Sequence, residues 1–230
     1  MTEPAAAEYH RFTCDVCSDT GWAPKPTGVT RCKGEAGVSC AWVENKRGLA
    51  PGVPVDEGKA TLENYTRTAE NGEAIKHAEY FLDGTHKGLY LHGGVGTGKT
   101  RLACSIVNQL WARGVSVRFK RCPELLIQLQ PGHDDTDQVW ERMVDVPVLV
   151  LDDVGANQGT DFARRQLQAL FDARLDRGHR TIWTSNLALD DLAEFLADDR
   201  LPSRIMGQCR VVELTGKDWR LTRRRKAAAK

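Results

Sequence analysis

The chain has 230 residues, of which 41% are hydrophobic, and its 32 Lys and Arg nearly balance 31 Asp and Glu to leave a net charge of +1. That length accommodates one α/β domain plus a small appendage, and the near-neutral balance excludes a polycation that grips nucleic acid over its whole surface. No apolar run approaches the roughly 20 residues of a membrane-spanning helix, and MTEPAAAEYHRF lacks the basic start and apolar core of a secretory signal. A cytoplasmic location, with reduced cysteines and no membrane partner, is therefore expected.

Residues 1–45 are poor in aliphatic side chains and hold four of the seven cysteines. Cys14 and Cys17 form a C-x-x-C followed by SDTG, a knuckle suited to presenting two thiolates to one metal. Cys32 and Cys40 would complete a closed, tetrahedral Cys₄ site for structural Zn²⁺. A metal is an effective means of folding a segment with so small a core. Cys32 and Cys40 are separated by seven residues, a wide interval that leaves His10 as an alternative fourth ligand. A redox pair at Cys14 and Cys17, or free thiols, are the competing readings. The intervening GWAPKPTGVTR suits a small hairpin. Residues 46–60, rich in Gly and Pro and without periodicity, read as a linker.

From residue 61 to 230 the pattern alternates between strand and helix. Strands are expected at Gly88–His92, Val115–Lys120, Val148–Leu151, Arg180–Ser185 and Arg210–Leu214. KTRLACSIVNQLWARG places Leu102, Ile106, Gln109/Leu110 and Arg113 on a helical repeat closed by Gly114. CPELLIQLQPG opens with a proline suited to a first turn. DFARRQLQALFDARLDRG aligns Phe162, Leu167, Leu170, Phe171 and Leu175 on one face, and ALDDLAEFLADD is a short amphipathic helix. Such alternation predicts a parallel sheet with helices on both faces. Cys104, Cys122 and Cys209 fall within these patterns as ordinary buried residues. The tail GKDWRLTRRRKAAAK is locally basic and reads either as a nucleic-acid contact or as a solvated terminus.

The stretch HGGVGTGKT lies between an apolar strand and an amphipathic helix. Gly93, Gly98, Lys99 and Thr100 satisfy G-x-x-x-x-G-K-[ST], the P-loop pattern. Glycines let backbone N–H groups turn inward around phosphate oxygens. The lysine supplies positive charge to the β- and γ-phosphates, the threonine hydroxyl ligates Mg²⁺, and the helix directs its positive end at the same anion. Gly93, Gly94, Val95, Gly96, Thr97, Gly98, Lys99, Thr100 and Arg101 are the expected cradle for a nucleotide.

VPVLVLDDVG supplies the second acidic motif. Val148 to Leu151 form a run buried on both faces, and two carboxylates follow at the strand's C-terminal end, where open α/β sheets bind ligands. Asp152 would hold Mg²⁺ and Asp153 would orient a water for hydrolysis. Asn186, closing RTIWTS, could hold the same water or cap the next helix. Arg200, Arg204 and Arg220 could stabilise charge on a transferring phosphoryl group, one of them from a neighbouring subunit. Arg200 could instead pair with Asp198 or Asp199.

With TLENY, GGVGTGKT, VLVLDDVG, TIWTSN, DDRLPSRI and GKDWR in this order, the chain from about Thr61 to Arg220 resembles the AAA+ ATPases of the DnaC-type replicative helicase-loader group. The related IstB-type transposition ATPases are similar. The resemblance implies an AAA+ P-loop fold without a C-terminal lid, since the chain stops soon after Arg220. It implies Asn186 as the sensor-one residue, Arg204 as an arginine finger acting on an adjacent protomer and Arg220 as the sensor-two arginine. It also implies an approach of Asn64 and Tyr65 to adenine. An arginine acting in trans requires self-association, and the family suggests an ATP-dependent open ring or spiral on single-stranded DNA with a DnaB-type replicative helicase as partner. Some loader-like ATPases also carry an N-terminal cysteine module, which supports the zinc reading.

The expected function is therefore a slow, partner-stimulated ATPase that loads a helicase. A transposition helper is the alternative within the resemblance, and a non-catalytic adaptor joining zinc and nucleotide sensing is the alternative from a different class. A small-molecule kinase is disfavoured, because it needs no second carboxylate for a water and no acceptor pocket is recognisable.

Overall fold

The computed structural model describes residues 22–25, 28–31, 49–133, 135–156, 160–216 and 218–219. The first two segments are strands β1 (Trp22–Lys25) and β2 (Gly28–Arg31), paired antiparallel with Trp22 opposite Arg31, the hairpin expected for GWAPKPTGVTR. All four cysteines expected to bind zinc, together with His10, lie outside the described residues.

The α/β domain begins before its expected start. Ala50, Val53 and Ala60 are buried in the main hydrophobic cluster, so the segment expected to be a linker over 46–60 is, from residue 49, part of the domain. The reason lies in the edge of the sheet. Phe119 N donates to Pro51 O at 2.9 Å, and Gly52 sits so close to Phe119 that a Cβ would collide with its carbonyl. Gly52 also adopts φ +83°, a conformation glycine enters without strain. A Gly- and Pro-rich composition here serves close backbone approach.

Helix α1 (Gly72–Leu82) leads to β3 (Gly88–His92), the phosphate-loop turn and helix α2 (Lys99–Ala112). Strand β4 (Val117–Arg121) runs directly into α3 (Cys122–Gln128), followed by α4 (Thr136–Asp145) and β5 (Val148–Val154). Helix α5 (Asp161–Asp176) precedes β6 (Arg180–Ser185), α6 (Leu189–Leu196), α7 (Arg200–Gln208) and β7 (Arg210–Glu213). The five strands β3–β7 form one parallel sheet in the order β4-β5-β6-β3-β7. Two apolar clusters cover it. Leu89 and Leu91 of β3 face one with α1 and α2, whereas Tyr90 faces the other with α3, α5, α6 and α7. That alternation is the two-residue period of a strand buried on both faces, and it gives the expected α/β architecture.

One residue reverses its expected place. Leu175 is 41% exposed, and the next position back, Arg174, takes the inner stripe with Leu167, Leu170 and Phe171. A spacing of i, i+3, i+4, i+7 from Leu167 indeed points to residue 174. The guanidinium bonds the carbonyls of Met143, Val144, Val146 and Arg180 and the hydroxyl of Thr181, at 2.6–3.2 Å. Four of these acceptors are backbone carbonyls around the end of α4 and the start of β6, and buried carbonyls need such donors. Burial pushes the Arg174 pKa down to about 9, which still leaves it charged at neutral pH. Cys104 and Cys122 are buried as expected, and Cys209 is partly so; burial pushes the Cys122 and Cys209 thiols up to about 12.

Candidate functional site

The C-terminal ends of β3, β5 and β6 open onto a cleft of about 440 Å³ lined by Tyr65, Val95, Gly96, Gly98, Lys99, Thr100, Arg101, Asp153, Asn186 and Trp219, with Glu57, Thr66 and Ala156 completing the wall. Its volume lies within the range of small-molecule sites.

The loop between β3 and α2 turns through three positive-φ glycines, Gly93, Gly96 and Gly98, of which Gly98 is the N-cap of α2. A Cβ at Gly93 would strike Leu214 O, and one at Gly98 would strike the Tyr65 hydroxyl. Lys99 is 5% exposed, and its ammonium donates to Gly93 O at 2.8 Å and Gly94 O at 2.7 Å. Thr97 Oγ1 donates to Gly94 O at 2.9 Å, which stiffens the turn from inside. Gly93, Gly94 and Thr97 thus shape the loop without lining the cleft.

Asp152 is 1% exposed. Its Oδ1 accepts from Thr100 Oγ1 at 2.9 Å and from Thr184 Oγ1 at 2.6 Å. Burial raises its carboxyl pKa, the Thr184 hydrogen bond acts in the opposite direction, and the Asp153 carboxylate raises it further. A buried carboxylate with that conflict, beside a threonine hydroxyl at the N-terminus of α2, suits a hard cation with oxygen ligands. Thr100 and Asp152 could therefore hold Mg²⁺.

Strand β5 shifts register between Leu151 and Val154, and Asp153 within this irregularity has φ +59°. Aspartate tolerates the left-handed region better than most residues. The Asp153 amide donates to Thr184 Oγ1 at 3.0 Å, so one hydroxyl fixes both adjacent aspartates while their carboxylates diverge. Asp152 is turned inward and Asp153 to the cleft wall. Thr184 was not among the expected site residues. Its signal is a hydroxyl two positions before Asn186 on a strand otherwise built for burial.

Tyr65 lies in the core cluster and donates its hydroxyl to Gly98 O at 3.3 Å; burial pushes its pKa up to about 12. Asn64 does not line the cleft. Its amide donates to Lys59 O at 2.7 Å, and its oxygen accepts from Thr61 N and Arg101 Nη2. Arg101 also pairs with Glu57 at 2.8 Å, which ties the segment before α1 to the start of α2.

Arg204 does not line this cleft. It emerges from α7 beside a second hollow lined by Asp172, Leu175, Asp176, Gly207 and Gln208, and pairs with Asp172 of α5. Arg200 pairs with Asp198 at 2.6 Å, and its hydrogen bonds hold the Asp198 pKa at about 2. Arg220 lies outside the described residues. The other residues missing from the expected set are Glu57, Thr66, Ala156 and Trp219. The tryptophan stands one position before the arginine on which the motif GKDWR drew attention.

A parallel α/β sheet with a glycine loop, a buried lysine and a Thr–Asp pair defines a P-loop nucleotide-binding protein. The sequence model of the IstB-like ATP binding proteins matches residues 64–227, more than half of the chain, and the protein belongs to that family. Among curated relatives, the replicative helicase loader DnaI of Bacillus subtilis (strain 168) is 31% identical over 49% of this chain and 37% of its own length. The ATP-binding protein of insertion sequence IS1162 from Pseudomonas fluorescens is 37% identical over 56% of this chain and 53% of its own. The chain thus spans between about a third and a little over half of these relatives. A crystal structure of DnaI superposes with TM-score 0.64 at 29% identity, covering 72% of this chain and 93% of that one. AMPPCP-bound DnaA from Aquifex aeolicus gives 0.61 at 25% identity, covering 68% and 50%. No helix among the described residues is long and apolar enough to cross a membrane.

Proposed function

We propose that the protein is an ATPase that assembles on single-stranded DNA and loads a DnaB-type replicative helicase, using ATP binding and slow hydrolysis as its switch. The observation that carries this reading is the separation of two sets of residues. Lys99, Thr100, Asp153 and Asn186 share one cleft, while Arg204 stands exposed on another face. A guanidinium that stabilises phosphoryl transfer has to reach the γ-phosphate, so Arg204 serves the cleft of a neighbouring copy.

In this scheme the loop amides and Lys99 bind the triphosphate, and Thr100 and Asp152 hold Mg²⁺. The cation, when bound, supplies charge neutralisation at the β- and γ-phosphates. Asp153 orients the attacking water and accepts its proton, Asn186 positions that water, and Arg220 contacts the same phosphates from the C-terminal segment. Cys14, Cys17, Cys32 and Cys40 form a zinc module that serves as the partner adaptor.

The insertion-sequence relatives favour a second reading, a transposition helper whose partner is a transposase. Co-purification with the cognate helicase and with the cognate transposase, each with ATP, ADP and single-stranded DNA, separates the two. ATP-dependent capture of the helicase is expected; capture of the transposase alone supports the second reading. For the shared site, Arg204→Ala should bind ATP yet lose hydrolysis by roughly 10³-fold. Mixing it with Lys99→Ala should restore part of that activity, and no recovery at any ratio would sink the trans arrangement.

A further inference from the structure

The phosphate chemistry accounts for only part of the cleft. Once Lys99, Thr100, Asp153 and Asn186 are given to the phosphates and their metal, the lining left for the remainder of a nucleotide includes Glu57, Tyr65, Thr66, Val95 and Trp219. Two of these are aromatic, and they stand on different terms. Tyr65 is buried in the core and spends its hydroxyl on Gly98 O, so it braces the loop from beneath. Trp219 is 38% exposed and lines the cleft.

Its place is fixed by the backbone. Leu214 N donates to His92 O at 2.7 Å, carrying the chain from β7 along the phosphate loop. The Asp218 carboxylate packs against Gly96, where a Cβ would collide with it. Trp219 N then donates to Gly96 O at 3.1 Å. A large aromatic side chain is thereby held at a set position relative to the loop that grips the phosphates. Exposed tryptophan on a pinned backbone is costly to leave in water and well suited to stack on a flat heterocycle.

Resting on the nucleotide reading above, we infer that Trp219 is the stacking wall of the nucleobase subsite and selects a nucleoside triphosphate over a bare polyphosphate. Stacking uses the π-face that every base has. The indole therefore contributes affinity for the base as a class, with more for the larger purines than for pyrimidines.

The test compares binding of Mg·ATP and of inorganic tripolyphosphate with Mg²⁺, by calorimetry, in the full chain and in Trp219→Ala and Trp219→Phe. The tripolyphosphate arm reports the phosphate loop alone. Trp219→Ala should weaken ATP roughly tenfold or more, within the span that base–aromatic stacking supplies, and leave tripolyphosphate unchanged. Trp219→Phe, which keeps an aromatic face, should lose less than about threefold. Unchanged ATP affinity in Trp219→Ala overturns the inference. So does a parallel loss of both ligands, which would make Trp219 a brace for the loop. If the unaltered chain binds tripolyphosphate as well as ATP, the base subsite fails while the phosphate loop stands. If it binds neither, the nucleotide reading itself falls.

Discussion

The nucleotide cleft and the outer face of α5 and α7 both carry charged residues, but they hold them in opposite ways. At and beneath the cleft, Lys99 and Asp152 are almost fully buried, Lys99 tied to backbone carbonyls and Asp152 to hydroxyls. On the outer face, the Arg204 and Asp172 side chains are 44% and 37% exposed. A buried charge left without partners costs several kcal/mol, so these two side chains are pinned to one geometry. An exposed ion pair contributes about 0–1 kcal/mol and can be exchanged for another partner at little cost. The cleft is built for a fixed task, and the outer face for a replaceable contact.

Three substitutions sharpen or break that contrast. Asp153→Asn removes the carboxylate proposed to orient the attacking water; single-turnover hydrolysis should fall by roughly 10²–10⁴-fold with ATP affinity retained. A variant that hydrolyses normally would leave the cleft a binding site only. Arg174→Ala removes the donors from five acceptors on the buried side of α5. We expect a loss of about 3 kcal/mol or more in chemical denaturation. Asp172→Ala, two residues earlier on the solvent side of the same helix, should shift stability by less than about 0.5 kcal/mol. Comparable losses from Asp172→Ala and Arg174→Ala would erase the distinction between pinned and exchangeable charge.

The same distinction explains what could be read from the amino-acid order. Strands β3 and β6 have the bounds that their apolar runs define, and the phosphate loop needs no tertiary information because its glycines, lysine and threonine are contiguous. Strand β5 runs three residues beyond its apolar run because Asp152 still pairs with Arg121 of β4 and, past a register irregularity, Val154 pairs with Ser185 of β6. Helices α1, α4 and α7 escaped for another reason. In α1 the inner stripe is Ala74, Ile75, Ala78 and Phe81, with only two large apolar residues, and in α7 it is only Leu201, Pro202 and Ile205. Arg174 was hidden because its buried acceptors come from segments some thirty residues upstream and from β6. Thr184 and Trp219 act through partners distant in the chain, Asp152 and Gly96. Asparagine at 64 suits a turn as well as a ligand, and it spends its amide on the turn.

The seam between Pro51–Gly52 and Phe119 gives the outer border of β4 a backbone neighbour. An open border of this kind invites pairing with foreign chains, so the seam protects against clumping. It also makes that border an anchorage. Gly52→Ala, by forcing a Cβ against the Phe119 carbonyl, would pry the seam apart and lay that border bare.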